Sequence, residues 1–593
     1  MNRIFINTVR AGVIALITSV SLGSCSDTWD DHYESLSGLT YDGSLLGYLQ
    51  DNPDLSDFVE VVKASGFDKD LASNQVLTVI APKNGSFDKQ YYLNLIQNGR
   101  KKEVIDEFIK NHICRYNISM GAEEQTVTMM NKKNVKLGTI SEGTIEEENV
   151  DKMNVSCSNG VVHVIDGYLP YQYNIYEFLA KDWRDNYTPA EPLPALDENG
   201  EAVEVELPPY ETLYGYLSEM YVDSLDEPRS VSRGVDENGD QIWVDSVVIS
   251  NNKILRRLDA YLYREDSTYI TLLPDFDAYN RRFQGIKGLF NFNVSYNSDK
   301  AVRDSVQRYW AHYYSLCDLS YNMGQHQNIH TQDSLFSTAF SRWSWPYNVY
   351  YNPYEAEGIM SSVYETIDCS NGQVCRVHEY PFDVYTNVFK KITLEGESRY
   401  YIYEDGENQF TNKTSTSYNT VANAADTISG SGYLHVVPAQ SSRQTELTFQ
   451  LPNTLSGQYD IYIKFLPYQV YAPEDTEHTN LPIRFRCSLY ERNANNGAFP
   501  AYNRATVDFY SNPEKKERNF QTDPNCIDSL YIGTYKFNYC YLNTTPGVLF
   551  KIQSNVTSGV AKQFTKEMLI DKIVLIPNRE RHDDDGLYTP ESD

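Results

Sequence analysis

The 593-residue sequence lacks the short motifs that mark common enzyme classes. It has no GxSxG nucleophile motif, no HExxH zinc motif, no phosphate-binding loop and no dinucleotide-binding fingerprint. Its nine cysteines form no CxxC pair and no zinc-binding spacing. We therefore predict a protein that is not an enzyme, with no catalytic residue, no cofactor and no metal site. An enzyme of unrecognised type is the alternative, because a carboxylate pair cannot be chosen from 81 acidic residues.

Positive charge is scarce. The chain has 51 Lys and Arg against 81 Asp and Glu, which gives a formal net charge of −30. Nucleic-acid phosphates would be repelled by this charge, so no nucleic-acid partner is expected. Tyrosine is abundant instead, with 48 residues. Its flat apolar ring and hydroxyl suit β-sheets, and also contacts with sugars or peptides.

The N-terminus reads as a targeting segment. Arg3 and Arg10 precede the apolar stretch Ala11–Ser21, which is too short to span a bilayer as a helix. The next four residues, Leu22–Cys25, resemble the lipobox of bacterial lipoproteins. This resemblance implies that residues 1–25 are a lipoprotein signal peptide and that Cys25 is lipidated. The alternative is an ordinary signal peptide with an incidental cysteine.

Residues 26–35 form an acidic tether. The cluster Ser26–Asp31 resembles the surface-export signal of Bacteroidota lipoproteins, and a solvated linker is the alternative. With a lipid on Cys25, the resemblance implies an outer-membrane protein that is lipid-anchored and faces the cell exterior. That compartment permits disulfides, for which Cys369–Cys375 and Cys526–Cys540 are the nearest pairs; free buried cysteines are the other possibility.

Three motifs occur in order between residues 36 and 172. They are Thr78–Phe87, Phe108–His112 and Ser158–Asp166. In this order and spacing they resemble a fasciclin-like domain, which implies an α+β fold over residues 36–172. His112 falls on a predicted helix, where a histidine is more often a hydrogen-bonded packing residue than a catalytic one.

A second, weaker copy of these motifs follows. It consists of Thr271–Tyr279, Trp310–Tyr313 and Ser370–His378. The acidic residue that follows the last strand in the family is absent, and extra segments lengthen the copy. We therefore predict a degenerate fasciclin-like domain with insertions over residues 173–398, in which His312 corresponds to His112.

One insertion of the second copy is unusually aromatic. Pro346 and Pro353 exclude a long helix or a central strand here, so a loop or an edge is expected. An aromatic patch rimmed by Asn and Ser suits sugar stacking or a protein-binding hot spot, and an inter-domain packing wedge is the alternative. The candidate ligand-binding residues are Trp343, Trp345, Tyr347, Tyr350, Tyr351 and Tyr354.

Short strand-like runs dominate residues 399–580 and predict an all-β sandwich. The segments Gly457–Ile463 and Leu569–Pro577 resemble a galactose-binding or carbohydrate-binding-module sandwich. Residues 581–593 form an acidic tail. The predicted strands are 433–437, 446–451, 459–465, 483–490, 505–510, 529–537, 548–554 and 568–576. The predicted fold class is therefore multidomain, with two α+β fasciclin-like domains followed by the sandwich.

This combination resembles the accessory surface lipoproteins of Bacteroidota that accompany Sus-type importers. The resemblance implies a non-catalytic component of TonB-dependent nutrient uptake. Such a protein captures a glycan or glycopeptide, or docks on a SusC/SusD-like importer. The alternative function is a surface adhesin that binds host matrix or neighbouring cells.

Overall fold

The structure, a computed structural model, describes residues 39–188, 195–196, 202–203, 210–225, 231–235, 241–245, 248–323, 333–339, 348–404, 416–422, 428–475, 477, 479–542 and 546–578. The predicted signal peptide with Cys25, the tether and the acidic tail lie outside these residues. The chain divides into two compact units. The first comprises Met1–Phe178, Tyr263–Asp266 and Cys369–Asn371, and the second comprises Leu179–Leu262, Ser267–Asp368 and Gly372–Asp593.

The first unit contains a seven-stranded sheet. Its strands, in spatial order, are Ile113–Arg115, Leu77–Pro82, Gly160–Ile165, Glu148–Cys157, Thr144–Ile145, Asn134–Leu137 and Gln125–Thr128. Leu77–Pro82 and Gly160–Ile165 pair in parallel, and every residue of both strands is buried. Burial on both faces explains why these two strands are nearly continuous apolar runs in the sequence.

Helices cover one side of this sheet. The helix Ser56–Ser65 buries its apolar positions, among them Phe58 and Val62, and ends at Gly66 in the left-handed conformation. A glycine accepts this conformation without the steric cost that a Cβ atom adds. The unit's α-helices are Leu45–Asp51, Ser56–Ser65, Asp68–Leu71, Lys89–Gln97 and Lys101–Glu103; a π-helix spans Val104–Ile109, and 3₁₀ turns span Pro53–Leu55 and Lys110–His112. The helix Ile175–Asn186 begins in this unit and continues into the second.

The second unit begins with the second repeat. Its four-stranded sheet has the order Ser320–Asn322, Tyr269–Pro274, Gly372–Val377, Val363–Cys369. Strand pairs are Ala195–Leu196 with Ala202–Val203, Tyr221–Leu225 with Val248–Asn252, Val231–Val235 with Gln241–Asp245, and Ser334–Phe336 with Val349–Tyr351. Its helices are Leu213–Glu219, Lys253–Arg257, Phe276–Lys287, Lys300–Leu316 and Val384–Asn387, with a 3₁₀ turn at Gly288–Phe290.

The rest of the second unit is a two-sheet sandwich. One sheet has the order Thr416–Ala422, Gly432–Pro438, Met568–Pro577, Gly457–Phe465, Asp528–Phe537, and the other has the order Glu446–Leu451, Val548–Ser554, Arg484–Glu491, Val507–Asp508. The short strand Phe520–Gln521 pairs with Arg484–Glu491. Short helical segments span Arg399–Tyr401, Tyr468–Tyr471 and Ser558–Val560. Burial alternates along Gly457–Phe465, as expected for a strand with one face on the core.

One hydrophobic core joins the second repeat to the sandwich. Phe283 and Ile286 of the helix Phe276–Lys287 belong to the same buried cluster as Tyr459 of the sandwich. The strand Ile392–Glu395 lies before residue 399 and pairs with the last sandwich strand, Met568–Pro577. The predicted fold class, two fasciclin-like α+β domains followed by a β-sandwich, is confirmed.

Candidate functional site

The aromatic segment predicted to bind a ligand is described only in part. Three of its six aromatic residues lie outside the described residues, namely Trp343, Trp345 and Tyr347. Tyr350 is half-buried and its hydroxyl donates a hydrogen bond to Asp318 over 3.2 Å, whereas Tyr351 is 75% exposed. Adjacent side chains of a strand point to opposite faces, so these two rings do not share one surface. Tyr354 is half-buried, and ligand binding by this segment stays a prediction.

A cavity of about 400 Å³ lies in the second unit between the helix Lys300–Leu316 and the sandwich. This volume falls within the range of sites that bind small ligands, about 300–1,000 Å³. The cavity is lined by Arg257, Trp310, Tyr313, Tyr314, Cys317, Asp318, Ala339, Asn348, Asn387, Val388, Lys390, Lys391, Ile392, Thr393, Tyr401, Pro452, Asn453, Leu455, Tyr459 and Leu542. We refer to it as the junction cavity.

Aromatic rings line the junction cavity from both sides. Trp310 and Tyr313 are three residues apart on the helix Lys300–Leu316 and therefore lie on one helical face. Their ring centroids are 5.6 Å apart and their planes are nearly perpendicular, at 87°. Tyr401 and Tyr459 contribute rings from the sandwich side. Tyr313 and Tyr459 are buried, while Trp310 and Tyr401 are half-buried, so the cavity has apolar walls that extend towards solvent.

Two cationic side chains are held against neutral groups in this cavity. The guanidinium carbon of Arg257 lies 4.4 Å from the ring centroid of Trp310 and 5.1 Å from that of Tyr313. Such contacts hold the charged group over the electron-rich ring faces. The Lys390 ammonium donates a hydrogen bond to the Asn348 side-chain oxygen over 2.8 Å. Burial lowers the pKa of Lys390, an effect that the nearby carboxylate of Asp318 opposes.

Asp318 is the carboxylate of the cavity and is itself buried. It accepts hydrogen bonds from the Asn348 amide and from the Tyr350 hydroxyl. Burial and the adjacent Asp318 raise the pKa of Tyr350 above its usual range, so this phenol is neutral at physiological pH. Burial raises the pKa of the Cys317 thiol as well. The Cys317 thiol in the cavity wall is therefore neutral, as is the Tyr350 phenol that donates a hydrogen bond to Asp318.

Asn453 supplies the least satisfied polar atom of the cavity. It follows the strand Glu446–Leu451 with a positive φ of 50°, a conformation that asparagine tolerates better than most residues. Its side-chain oxygen is buried and accepts no hydrogen bond from any residue that the structure describes. A buried acceptor left unpaired costs about 1–3 kcal/mol. This oxygen has almost no accessible surface, so a ligand hydroxyl or amine can donate to it, and recover that free energy, only after the Asn453 side chain turns towards the cavity.

Only part of this site could be predicted from the sequence. Trp310 and Tyr313 belong to a motif that we interpreted as a repeat signature, and their spacing on a helix was visible. Arg257, Lys390 and Asn453 lie far apart in the sequence, and nothing in their neighbourhoods marks them as partners. The fold alone brings them to one cavity.

The described residues contain neither a metal-binding cluster nor a membrane-spanning helix. No group of three or more His, Cys, Asp or Glu side chains within the ranges given above is arranged to hold a metal ion. Among the helices that the structure describes, none is both long and apolar enough to cross a membrane. All eight cysteines in the described part of the chain are free thiols.

Residues 53–170 match the family model described as Fasciclin domain. No curated protein matches the sequence. Fasciclin domains are generally adhesion or binding domains and are non-catalytic.

Several solved structures are similar to parts of the chain. The FAS1 domain pair of the insect cell adhesion molecule fasciclin I is 12% identical and covers 57% of this chain and 100% of its own, with a TM-score of 0.19. The CBM22-1–GH10 modules of Clostridium thermocellum xylanase 10B are 10% identical, over 32% of this chain and 28% of theirs, with a TM-score of 0.19. A carbohydrate-binding module specific for non-crystalline cellulose, CBM28, is 11% identical, over 31% of this chain and 95% of its own, with a TM-score of 0.15.

These TM-scores lie below 0.5, so function has to be argued from the chain's own residues. The family match covers residues 53–170, and the strand pairing of the second repeat extends the same architecture along the chain. The chain thus carries a fasciclin domain, a second fasciclin-like domain and a β-sandwich.

Proposed function

We propose that this protein is a surface lipoprotein that captures a saccharide, as a glycan or glycopeptide, in the junction cavity. The observation that carries the proposal is the combination of an aromatic wall with an unpaired buried acceptor, the side-chain oxygen of Asn453. A sugar ring presents apolar C–H faces that pack on aromatic rings, and hydroxyls that donate hydrogen bonds. Apolar walls with a few polar groups are common to small-ligand sites, and a saccharide uses both kinds of contact.

The protonation states of the side chains that line the cavity favour binding of a ligand over its chemical conversion. Its phenols and its thiol are held neutral by burial, as the raised pKa values of Tyr313 and Cys317 indicate. A buried neutral thiol is a poor nucleophile, because the thiolate is the reactive form. Binding of a saccharide without conversion is the role that these side chains suit.

The proposal includes the membrane anchor and the partner expected from the sequence. A lipid on Cys25 would hold the protein on the outer membrane of a Bacteroidota cell, beside a SusC/SusD-like importer that receives the captured ligand. Residues 1–38 lie outside the described residues, so this part rests on the Leu22–Cys25 lipobox and the acidic tether alone. Trp343 and Trp345 also lie outside the described residues, and they are proposed to contribute to capture from the sequence pattern alone.

A pair of adjacent tyrosines offers a matched test of capture. Tyr401 lines the cavity, whereas Tyr400 does not and is 53% exposed. We expect Tyr401→Ala to weaken binding of a retained glycan about tenfold or more in affinity electrophoresis and calorimetry, because a ring-stacking contact contributes about 1–3 kcal/mol. Tyr400→Ala should leave binding unchanged. The Trp343→Ala/Trp345→Ala double variant tests the aromatic segment in the same assay.

The control also separates capture from the second candidate function. If the purified protein retains no glycan of a broad panel and Tyr401→Ala behaves like Tyr400→Ala, the junction cavity is not a glycan site. The match to a fasciclin domain over residues 53–170 then favours adhesion to host matrix or neighbouring cells.

The anchor and the importer are tested together by changing Cys25. We expect the wild-type protein to incorporate labelled palmitate, to be cleaved by protease added to intact cells, and to co-purify with an importer from detergent extracts. Cys25→Ser should abolish labelling and release the protein from the membrane fraction. Labelling that persists in Cys25→Ser would contradict the lipobox interpretation.

A further inference from the structure

The described residues that line the junction cavity carry more positive than negative charge, whereas the protein as a whole is acidic. The chain carries a formal net charge of −30. Among the residues that the structure describes, three cations line the cavity, Arg257, Lys390 and Lys391, against one carboxylate, Asp318. A local excess of positive charge attracts anions and raises their concentration at the cavity.

Asp318 offsets only part of this positive charge, since it favours the ammonium form of Lys390 but is one carboxylate against three cations among the described lining residues. Its oxygens already accept hydrogen bonds from Asn348 and Tyr350. Within the part of the chain that the structure describes, no carboxylate forms an ion pair with Arg257 or Lys390; their hydrogen-bond acceptors are the Tyr309 hydroxyl, at 3.4 Å, and the Asn348 amide oxygen, at 2.8 Å.

The arrangement of Arg257 leaves its charge available to a ligand. Its guanidinium lies over the rings of Trp310 and Tyr313, and the residue is exposed, which places it at the mouth of the cavity. A guanidinium whose carbon lies over a ring face still has N–H groups directed away from that ring. Those groups match a carboxylate in a two-point hydrogen bond.

We propose that the saccharide bound in the junction cavity carries a carboxylate, as a uronic acid or a sialic acid does. The sugar ring packs on the aromatic wall, a hydroxyl donates to the Asn453 side-chain oxygen, and the carboxylate pairs with Arg257 near Lys390. This inference rests on the proposed function and names the chemical class of its ligand. A carboxylate beside Lys390 would also stabilise an ammonium that burial otherwise disfavours.

The test compares each acidic sugar with a neutral copy of itself. Oligosaccharides of glucuronate, galacturonate and N-acetylneuraminate are each measured by calorimetry against the full-length protein, in parallel with their methyl esters. The ester keeps the ring and the hydroxyls and removes only the charge. We expect at least one acid to bind about tenfold or more tightly than its ester, a ratio that corresponds to about 1.4 kcal/mol. Higher ionic strength should reduce this ratio.

Adjacent arginines on one helix supply the matched variants. Arg257 lines the cavity, and Arg256, its exposed neighbour on the helix Lys253–Arg257, does not. Arg257→Gln should weaken binding of the acid about tenfold and leave binding of the ester within about twofold. Arg256→Gln should change neither, and Arg257→Lys should restore part of the preference for the acid.

The possible failures are distinct. If the esters bind as tightly as the acids, and Arg257→Gln has no selective effect, the carboxylate inference is overturned and saccharide capture stands. If neutral glycans are retained by the protein but none of the acids is, the same conclusion holds. If neither acids nor any neutral glycan binds, both the inference and the proposed function are overturned.

Discussion

The two repeats share a central frame and differ in what they attach to it. In the first, Leu77–Pro82 runs parallel to Gly160–Ile165 and antiparallel to Ile113–Arg115. In the second, Tyr269–Pro274 runs parallel to Gly372–Val377 and antiparallel to Ser320–Asn322. The asparagine before each glycine makes the same bond: the side-chain oxygen of Asn159 accepts the Leu45 N–H, and that of Asn371 accepts the Ile175 N–H, each over 2.8 Å.

The difference begins at the equivalent histidines. His112 is buried and bonds only to the backbone: its ring nitrogens lie 2.8 Å from the Phe108 carbonyl and 3.0 Å from the Leu169 N–H. His312 is equally buried but lies 2.8 Å from the Tyr279 hydroxyl and 3.2 Å from the Glu211 carboxylate.

Glu211 makes the second repeat electrostatically different from the first. Burial opposes its ionisation, but the hydrogen-bonded pair with Arg308 and the contact with His312 outweigh it and lower the pKa of Glu211 to about 2. The histidine of the first repeat thus bonds to neutral backbone groups, whereas the histidine of the second lies beside a charged pair, Glu211 and Arg308. The second repeat is also the one that shares its core with the sandwich and lines the junction cavity. The repeat that differs from the first in its charged groups is therefore also the repeat that contributes residues to the candidate site.

The largest expected effect comes from the shared glycines. A Cβ atom on Gly160 would lie 1.8 Å from the Leu77 carbonyl oxygen, and one on Gly372 would lie 1.9 Å from that of Tyr269. We expect Gly160→Ala and Gly372→Ala each to lower the free energy of unfolding of their own unit by about 4 kcal/mol or more, because the backbone has to move. Urea titrations read by mass-spectrometric labelling of Cys114 in the first unit and Cys375 in the second report each unit separately.

A third glycine measures the cost of the left-handed conformation without any overlap. Gly85 also has a positive φ, 76°, but a Cβ atom there would meet no atom within 4 Å. Gly85→Ala should therefore cost only about 1 kcal/mol, the price of the left-handed conformation. If Gly160→Ala costs no more than Gly85→Ala, or if Gly372→Ala is far milder than Gly160→Ala, the two repeats do not share the same close strand contact.

Strand positions could be predicted because their sequence signals are local. Alternating or continuous apolar residues between turn residues predicted the strands now seen at Glu446–Leu451, Val548–Ser554 and Met568–Pro577, with shifts of no more than one residue. The predicted strand at 505–510 is shorter, Val507–Asp508. The packing role predicted for His112 and His312 is confirmed, since both rings are fully buried among side chains or backbone groups.

The junction cavity could not be predicted, because it depends on contacts between distant parts of the chain. Arg257, Lys390 and Asn453 become neighbours of one cavity only when the second repeat and the sandwich share a core. The partner of His312 illustrates the same limit. Glu211 lies about a hundred positions before the histidine, outside the three motifs by which the second copy was identified.

A smaller effect distinguishes the two histidines by pH. Burial lowers the pKa of His112 from 6.5 to about 4. Between these values the unfolded chain binds a proton that the folded chain does not, so the stability is complete above pH 6.5 and is lost as the pH falls towards 4. The slope is about 1.4 kcal/mol per pH unit, or about 3 kcal/mol over the whole window. Hydrogen exchange of peptides from the strand Gly160–Ile165, corrected for intrinsic rates, measures it.

His112→Gln keeps one donor and one acceptor but does not titrate, so it should remove the contribution of His112 from the pH dependence of the first unit. A slope from His163 remains, because burial lowers the pKa of this second buried histidine of the unit too. The corresponding His312→Gln should change the pH dependence of the second unit less. Burial lowers the pKa of His312 too, but the Glu211 carboxylate favours the protonated ring and opposes that shift. Equal slopes for the two histidines would mean that Glu211 does not act on His312. The electrostatic difference described here between the two repeats would then be wrong.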